Sequence, residues 1–404
     1  LEEFVSREWM YGKDPESVFK SIKDGQEDIG MPAFDAAFTD EEIRNMTSYL
    51  LAKGDKKEYK KLQSDAKKVI NSEKMKFTLD PIISGLDIPW GMTWLPEGDM
   101  LIAERSGILY RLKNDNLTKI NAVPRVYQFG QGGLLDVELH PDYESNGWIY
   151  ISYSYYAGED INDGGSTALM RARLNNNTLV DKEVLFKAIP AEKRGPHYGS
   201  RIEFDRNGFL FLSMGDRGRR NNAQVLSNHS GALHRLNDDG TVPDDNPFLD
   251  VPGAIPSIYN YGHRNIQGLA IHPETGELWS HEHGPRGGDE LNIEKAGLNY
   301  GWPEITYGIN YNGTIISEDT AREGMVQPVT YWDPSIAPCG MDFVEGDKYP
   351  EWKGNILVGS LRFKYVARCE IDGDQVVHEE RLLEGMGRVR NVKMGTDGYI
   401  YVAL

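Results

Sequence analysis

Six short segments repeat one pattern along this chain: EGDMLIAE (97–104), NGWIYISYS (146–154), NGFLFLSMGD (207–216), TGELWSHE (275–282), KGNILVGS (353–360) and DGYIYVAL (397–404). Each opens on a turn glycine, runs through three or four apolar residues and ends in small or polar ones. The copies stand about 45 to 80 residues apart. A turn-plus-strand unit recurring at such a period marks a radial β architecture, in which no unit can bury its apolar face alone. The count predicts an all-β fold, a six-bladed β-propeller with a four-stranded antiparallel sheet in each blade. A β-sandwich is the competing arrangement. Propellers carry their sites on loops at one end of the central channel, so polar residues at the ends of the repeated strands become the candidates.

Composition narrows the function. The chain has 404 residues, room for one large domain or two. Net charge is −18 at pH 7, which argues against a nucleic-acid partner because phosphate binding needs a basic face. No run of 18 apolar residues occurs, so no transmembrane segment is expected. Cys339 and Cys369 form neither a C-x-x-C pair nor a disulfide framework. The chain starts at Leu1 with no initiator Met or signal peptide and stops at Leu404 inside a strand-like run. It reads as a fragment cut at both ends, with the last strand of the ring truncated.

Ahead of the repeats the pattern is helical. In DPESVFKSIKDG, Asp14 is placed to cap a helix that begins at Pro15 and stops at Gly25. In FTDEEIRNMTSYLLAKG, Thr39 and Glu42 form a capping box, and Ile43, Met46 and Leu50 share one face. GMPAF, residues 30–34, lies between them. Residues 55–75 are charge-rich and read as a linker. The expected division is a helical segment 1–54, a linker 55–75 and a β domain 76–404.

Five stretches could carry chemistry. WSHEHGPRGGDEL (279–291) packs together two histidines, three carboxylates, a Gly-Pro and a Gly-Gly. His281 and His283 have strand spacing that suits two zinc or copper ligands, but no third soft ligand follows. The carbonyls near Gly284-Pro285 and Gly287-Gly288, with Asp289 and Glu290, offer hard oxygens, which favour Ca²⁺. His197 in RGPHYGSRIEF precedes a strand and is a candidate general base, since imidazole is neutral and basic near pH 7. A loop histidine bonded to backbone is the plain alternative. Arg264 and Asn265 follow His263 in a glycine-bounded turn, and Arg264 offers a fixed cation for an anionic ligand, or else a surface turn. Arg388 and Arg390 in GMGRVRNVKM are two apart on an expected strand and so point the same way. They suit a carboxylate-rich ligand, or else a solvated edge. Gln131 lies in the glycine-rich turn of GQGGLLDVELHP.

In combination the stretches become specific. GQGGLL, HYGSR, MGDRG, GHRNIQGLA, EHGPRGGDELN, NYGWP, YGINYNG, PSIAP and GRVRNV span nearly all of residues 76–404. This segment resembles the soluble sugar dehydrogenases that use pyrroloquinoline quinone (PQQ), the glucose and aldose dehydrogenase type. The resemblance implies a six-bladed propeller that oxidises an aldose at its C1 hydroxyl to the lactone, with hydride passing to the quinone. It implies His197 as the base that takes the anomeric proton, with Arg264 joining it in catalysis. Gln131, Arg264 and Asn265 would surround the quinone carbonyls. Arg388 and Arg390 would hold its carboxylates, and Arg362 in GSLRF would add a further cation. Tyr311, Ala337 and Pro338 would line the same pocket. The carbonyls of Gly284 and Pro285 would ligate a catalytic Ca²⁺, and Glu290 and Tyr300 would mark a second, structural calcium position.

With such a neighbour, GMPAF and the helix after it resemble the C-terminal half of a class I cytochrome c, with Met31 as the axial thioether ligand. The chain has no C-x-x-C-H, hence neither the haem attachment cysteines nor the proximal histidine. Haem c is therefore expected only in the intact protein, as the electron acceptor, unless a separate cytochrome serves. The family implies a bacterial periplasmic or secreted location. Two other readings compete. A calcium-dependent propeller lactonase or hydrolase would need Asp, Asn and Glu side chains around a channel metal and would not need Arg264, Arg388 and Arg390 together. A non-catalytic binding module could lose His197 or the arginines.

Overall fold

The six repeated segments are the second strands of six sheets: Met100–Glu104, Trp148–Tyr156, Leu210–Met214, Leu278–Glu282, Ile356–Ser360 and Ile400–Ala403. The computed structural model describes residues 14–25, 33–35, 38–54 and 69–404. Five of the six sheets have four antiparallel strands in sequential order. The sixth has two, Asn391–Met394 and Ile400–Ala403. The fold is an all-β propeller with five full blades, not the six expected. The reason is physical. Met100–Glu104, Leu210–Met214, Leu278–Glu282 and Ile356–Ser360 are buried at every residue. A strand covered on both faces shows an unbroken apolar run rather than alternation. The repeat therefore detects covered strands, and it counted the two-stranded sheet as a blade.

The first strands of the sheets run Pro89–Trp94, Leu134–Leu139, Ile202–Phe204, Ile266–Ile271, Pro338–Phe343 and Asn391–Met394. Each contacts the next, and the last contacts the first, so together they line the axis. Asn391 Nδ2 donates to the Trp90 carbonyl at 3.2 Å, and the rings of Trp94 and Tyr401 lie 4.8 Å apart. The two-stranded sheet thus fills a sixth position around the ring. Between blades the packing is apolar. Ala270, Trp279 and Leu291 of the fourth blade meet Met341, Phe343, Ile356 and Val358 of the fifth. Burial of each large side chain of this kind contributes roughly 1.5–3 kcal/mol.

Both helices ahead of the propeller carry their expected caps. Helix Pro15–Asp24 is capped by Asp14, whose Oδ1 accepts from the Ser17 N–H at 3.0 Å. In helix Asp40–Gly54 the capping box is reciprocal, Glu42 N–H to Thr39 Oγ1 at 3.3 Å and Thr39 N–H to Glu42 Oε2 at 2.8 Å. Val18, Phe19 and Ile22 pack against Ile43, with Met46 beside them. Met31, residues 55–68 of the expected linker and the Leu50 side chain lie outside the described residues. Strand structure begins at Val69, inside the stretch read as linker, where Val69–Asn71 pairs with Lys76–Thr78. That hairpin is tied to the fifth blade. The Phe77 ring lies 5.5 Å from Trp352, and the Glu73 N–H donates to Glu380 Oε1 at 2.6 Å. Among the described residues no helix is long and apolar enough to cross a membrane.

Candidate active site

Antiparallel pairing brings two kinds of segment to one mouth of the ring: those leading into the inner strands, and those leaving the second strands. Gln131, His197, Arg264, Asn265, Ala337, Arg388 and Arg390 all stand on or just before inner strands of successive sheets. Gly284, Pro285 and Arg362 stand just past second strands. The topology therefore gathers most of the predicted residues.

His197 is held in an unusual conformation. Its φ is +60°, in the left-handed region that few non-glycine residues enter. Hydrogen bonds fix it there. The His197 N–H donates to Gln131 Oε1 at 2.8 Å, and the Gly199 N–H donates to Asn265 Oδ1 at 3.1 Å. Gly215 must lack a side chain, because a Cβ there would run into the His197 carbonyl. Beneath the loop, Arg217 is fully buried. Its guanidinium lies 3.5 Å over the Tyr198 ring and donates to the Arg194 carbonyl at 2.7 Å.

The imidazole is paired. His197 Nδ1 lies 2.5 Å from Asp216 Oδ1. Asp216 Oδ2 accepts from Trp302 Nε1 at 2.9 Å, and its Oδ1 also accepts from the Gly218 N–H at 2.7 Å. Burial alone would raise the Asp216 pKa, but His197, Arg264 and Trp302 together hold it below 3.8. The aspartate is ionised, so Nδ1 carries the proton and Nε2 is left as an acceptor. Burial, then the nearby Arg264 charge, pull the His197 pKa below 6.5 despite Asp216. At neutral pH the ring is a neutral base.

Arg264 and Arg217 stand close enough for their charges to act on the ring. Arg264 is 7% exposed and donates to the His283 carbonyl at 3.0 Å. Its backbone N–H, and that of Asn265, bond Glu282 Oε2 at 2.5 and 3.2 Å. Arg362 Nη1 donates to the Ser335 carbonyl at 3.2 Å. Arg388 and Arg390 precede the strand that starts at Asn391 rather than lying on it, a correction to the sequence reading. Their alternation survives, because Val389 between them is buried while Arg388 is exposed and Arg390 half-buried. Among the described residues, no carboxylate lies within ion-pair distance of Arg264, Arg362 or Arg390.

The Gly284–Gly288 turn is shaped by Asp289. Its carboxylate accepts the Gly284 N–H at 2.8 Å and the Ala337 N–H at 2.7 Å, which ties the turn to the residue before the inner strand Pro338–Phe343. Burial pushes Asp289 up to about 6. Ser335 Oγ donates to the Pro285 carbonyl at 3.1 Å. His283 Nε2 bonds the Pro338 carbonyl at 2.7 Å, and His281 Nε2 bonds the Gly340 carbonyl at 3.2 Å, so both histidines serve the backbone. Glu290 is raised to about 8 by burial and by Glu282. The Tyr300 hydroxyl is spent on the Ile293 carbonyl at 2.6 Å and the Lys295 N–H at 2.9 Å, and no hydrogen bond joins it to Glu290. Tyr311 is 50% exposed, two residues past Ile309, whose N–H donates to the Arg286 carbonyl.

Asp216 and Trp302 were missed as functional residues. Asp216 stands two residues past the second strand of its sheet, as do Gly284 and Arg362 in theirs, so register alone could have found it. Trp302 reaches Asp216 across 86 residues, and no local pattern signals that.

A family model described as Glucose / Sorbosone dehydrogenase matches residues 86–404. The aldose sugar dehydrogenase of Escherichia coli K12 is 42% identical over 323 residues, which cover 78% of this chain and 87% of the relative. A crystal structure of a glucose dehydrogenase matches with a TM-score of 0.78 at 42% identity, over 80% of this chain and 95% of that one. The PQQ-bound aldose sugar dehydrogenase of Streptomyces coelicolor matches with a TM-score of 0.64 at 30% identity, over 78% and 87%. On the length and identity of these matches, the chain belongs to the glucose/sorbosone dehydrogenase family and is an oxidoreductase.

Proposed function

We propose that this chain oxidises the C1 hydroxyl of an aldose to the lactone, with PQQ as hydride acceptor and Ca²⁺ beside it. One observation carries the reading: a neutral histidine on an ionised aspartate stands near Arg264, and among the described residues Arg264, Arg362 and Arg390 have no carboxylate within ion-pair distance, in a protein of net charge −18. Arg264, the buried one of the three, acts on Asp216 only through space, and a ligand carboxylate would give it a bonded counter-charge. A planar tricarboxylate such as PQQ meets that need with paired N–H···O bonds. Arg264, Arg362, Arg388 and Arg390 would hold it, with Gln131, Asn265, Ala337 and Pro338 around it and Tyr311 at the edge. Bound there, the quinone supplies an electrophilic carbonyl that takes up hydride. His197 Nε2 accepts the proton of the anomeric hydroxyl, so that C1 can release its hydrogen as hydride. Asp216 orients the ring through Nδ1 and stabilises the imidazolium as it forms. Arg264 keeps the ring neutral until that proton arrives.

Dye reduction with added PQQ and Ca²⁺, across a panel of aldoses, tests the reading. Sugar-dependent reduction that requires both additions is expected. A folded chain that binds PQQ yet reduces no dye with any aldose would overturn it. A lactonase would need side-chain carboxylates converging on a metal, and among the described residues no three His, Cys, Asp or Glu side chains are so placed.

The pH profile gives a second check. Because the His197 pKa lies below 6.5, log kcat/KM should stay level from pH 7 downward and fall one unit per pH unit only below that pKa. Arg264→Gln removes a charge that lowers it, so the acid limb should move to higher pH. A limb above pH 6.5 in the parent, or one that does not move in the variant, would refute the assignment.

The calcium reading is supported by the donor set. Gly284 and Pro285 offer carbonyl oxygens, and Asp289 beside them is a buried carboxylate whose pKa burial raises to about 6. A chelator should abolish activity, and Ca²⁺ should restore it. At a hundredfold excess over Kd, Ca²⁺ should stabilise the fold by about 2.7 kcal/mol. A melting temperature indifferent to Ca²⁺ would remove this part of the reading. Glu290 and Tyr300 would serve a second calcium only through groups other than the Tyr300 hydroxyl. The helical segment supports a further step, in which electrons leave for a haem with Met31 as axial ligand in the intact protein, or for a separate cytochrome, in a bacterial periplasmic or secreted setting.

A further inference from the structure

A separate cavity of about 320 Å³ opens beside this mouth, within the size range of small-ligand pockets. Trp332, Asp333, Phe363, Tyr365, Arg381 and Glu384 line it. Trp332 ends the last strand of the fourth blade, opposite Asp289. Phe363 and Tyr365 lie in the turn between Ile356–Ser360 and Val366–Asp372, and Arg381 lies near the end of Gln375–Leu382. These strand ends belong to the mouth that carries His197.

Two links join the cavity to the site. Arg362, next to Phe363, bonds the Ser335 carbonyl, and Ser335 bonds the Pro285 carbonyl. A Cβ on Gly287 would come within 2.7 Å of the Asp333 carboxylate. The cavity therefore begins where the Gly284–Gly288 turn ends.

Its lining is mixed. Phe363 is 41% exposed, and its ring is nearly parallel to that of Tyr365, with centroids 6.4 Å apart. Tyr365 is 1% exposed, and its hydroxyl has no hydrogen-bond partner among the described residues. Burial pushes this phenol up to about 12, so it remains a donor. The Arg381 guanidinium stands 5.0 Å over the Tyr365 ring. Asp333 and Glu384 add acceptors at the edge. A flat apolar face ringed by both donors and acceptors suits a pyranose. The weakly positive C–H face of the sugar lies against the negative face of an aromatic ring, while its hydroxyls bond the charged groups. An anionic ligand would meet Asp333 and Glu384 with repulsion, and a purely apolar one would leave the Tyr365 hydroxyl unpaired.

We propose that this cavity is a subsite for a further sugar unit of an oligosaccharide whose reducing end lies at His197. The direction of that substrate rests on the aldose reading, whereas affinity of the cavity for a neutral sugar does not. Calorimetry on the full chain with maltotriitol and cellotriitol tests it, because these alditols have no anomeric hydroxyl to oxidise. Binding is expected, and it should weaken at least tenfold in Phe363→Ala and in Arg381→Gln. The second variant changes an exposed side chain and should not disturb folding. In dye reduction, KM for maltotriose or cellotriose should rise about tenfold in both variants, with glucose turnover unchanged in Arg381→Gln; the Phe363 ring lies 5.0 Å under the Arg362 guanidinium, so Phe363→Ala does not serve as the glucose control. If neither alditol binds the parent, or the variants bind as well as the parent, the subsite is overturned, while glucose oxidation is decided separately by the dye assay. Alditol binding that is lost in the variants, in a chain that oxidises no aldose, keeps the sugar site and overturns the aldose reading instead.

Discussion

His197→Ala should lower kcat for aldose oxidation by about 10²–10⁴-fold, the usual range for loss of a general base. The affinity for PQQ should change little, because the contacts proposed for the arginines do not depend on the imidazole. PQQ binding, followed by absorbance, should be retained. Asp216→Asn tests the pairing. An asparagine amide can donate to Nδ1, which would place the ring proton on Nε2 and leave the wrong atom facing the substrate. A large loss of kcat with normal PQQ binding is therefore expected there too. A His197→Ala variant that keeps kcat within threefold of the parent would show that the proton goes elsewhere. The same result would leave the left-handed backbone at His197 without a catalytic explanation.

Local rules read well in this sequence. Thr39 and Glu42 bond reciprocally because a capping box needs only four consecutive residues. The second strands of the five full blades were legible because burial on both faces leaves an apolar run, and half-buried Ile400–Ala403 carries the same turn and apolar residues. The number of full blades was not, because outer strands such as Gln375–Leu382 alternate with solvent and resemble any exposed strand. Arg388 and Arg390 show the same limit at smaller scale. Their spacing is that of a strand, yet the ladder begins only where Asn391 pairs with Ala403. His197 and Arg264 could be proposed from residue type and the glycines beside them. The Asp216–Trp302 bond could not, since it joins parts of the chain that only the closed ring brings together.

That closure leads to the largest expected loss of stability, at Arg201. Arg201 is 4% exposed and directly precedes the inner strand Ile202–Phe204. Its guanidinium meets Asp136 at 3.3 Å and the carbonyls of Gln267 at 2.8 Å, Trp90 at 3.3 Å and Arg390 at 3.3 Å. It also lies 3.9 Å over the Trp90 ring. One side chain thus bonds the inner strands of the first, second and fourth blades and the segment leading into the sixth sheet. Arg201→Met keeps much of the stem but strands Asp136, which is 6% exposed. Breaking a buried pair from one side costs about 3–5 kcal/mol, which urea unfolding would show as a lower midpoint. The loss should depend on pH. Burial already holds the Asp136 carboxyl above 3.8 despite Arg201, and removing the guanidinium raises it further. An acid whose folded pKa is raised loses stability as pH climbs through that pKa, so the deficit should be larger at pH 8 than at pH 5. Asp136→Asn in the same chain should recover part of it. A deficit below about 1 kcal/mol would contradict a ring held along its axis by this cation. Because Arg201 also grips the Arg390 carbonyl, the variant should bind PQQ more weakly even where it remains folded. The two-stranded sheet, and the arginines before it, are held by these bonds at the axis together with the packing of Tyr401 and Ala403 on the first blade and of Ile400 and Val402 on the fifth.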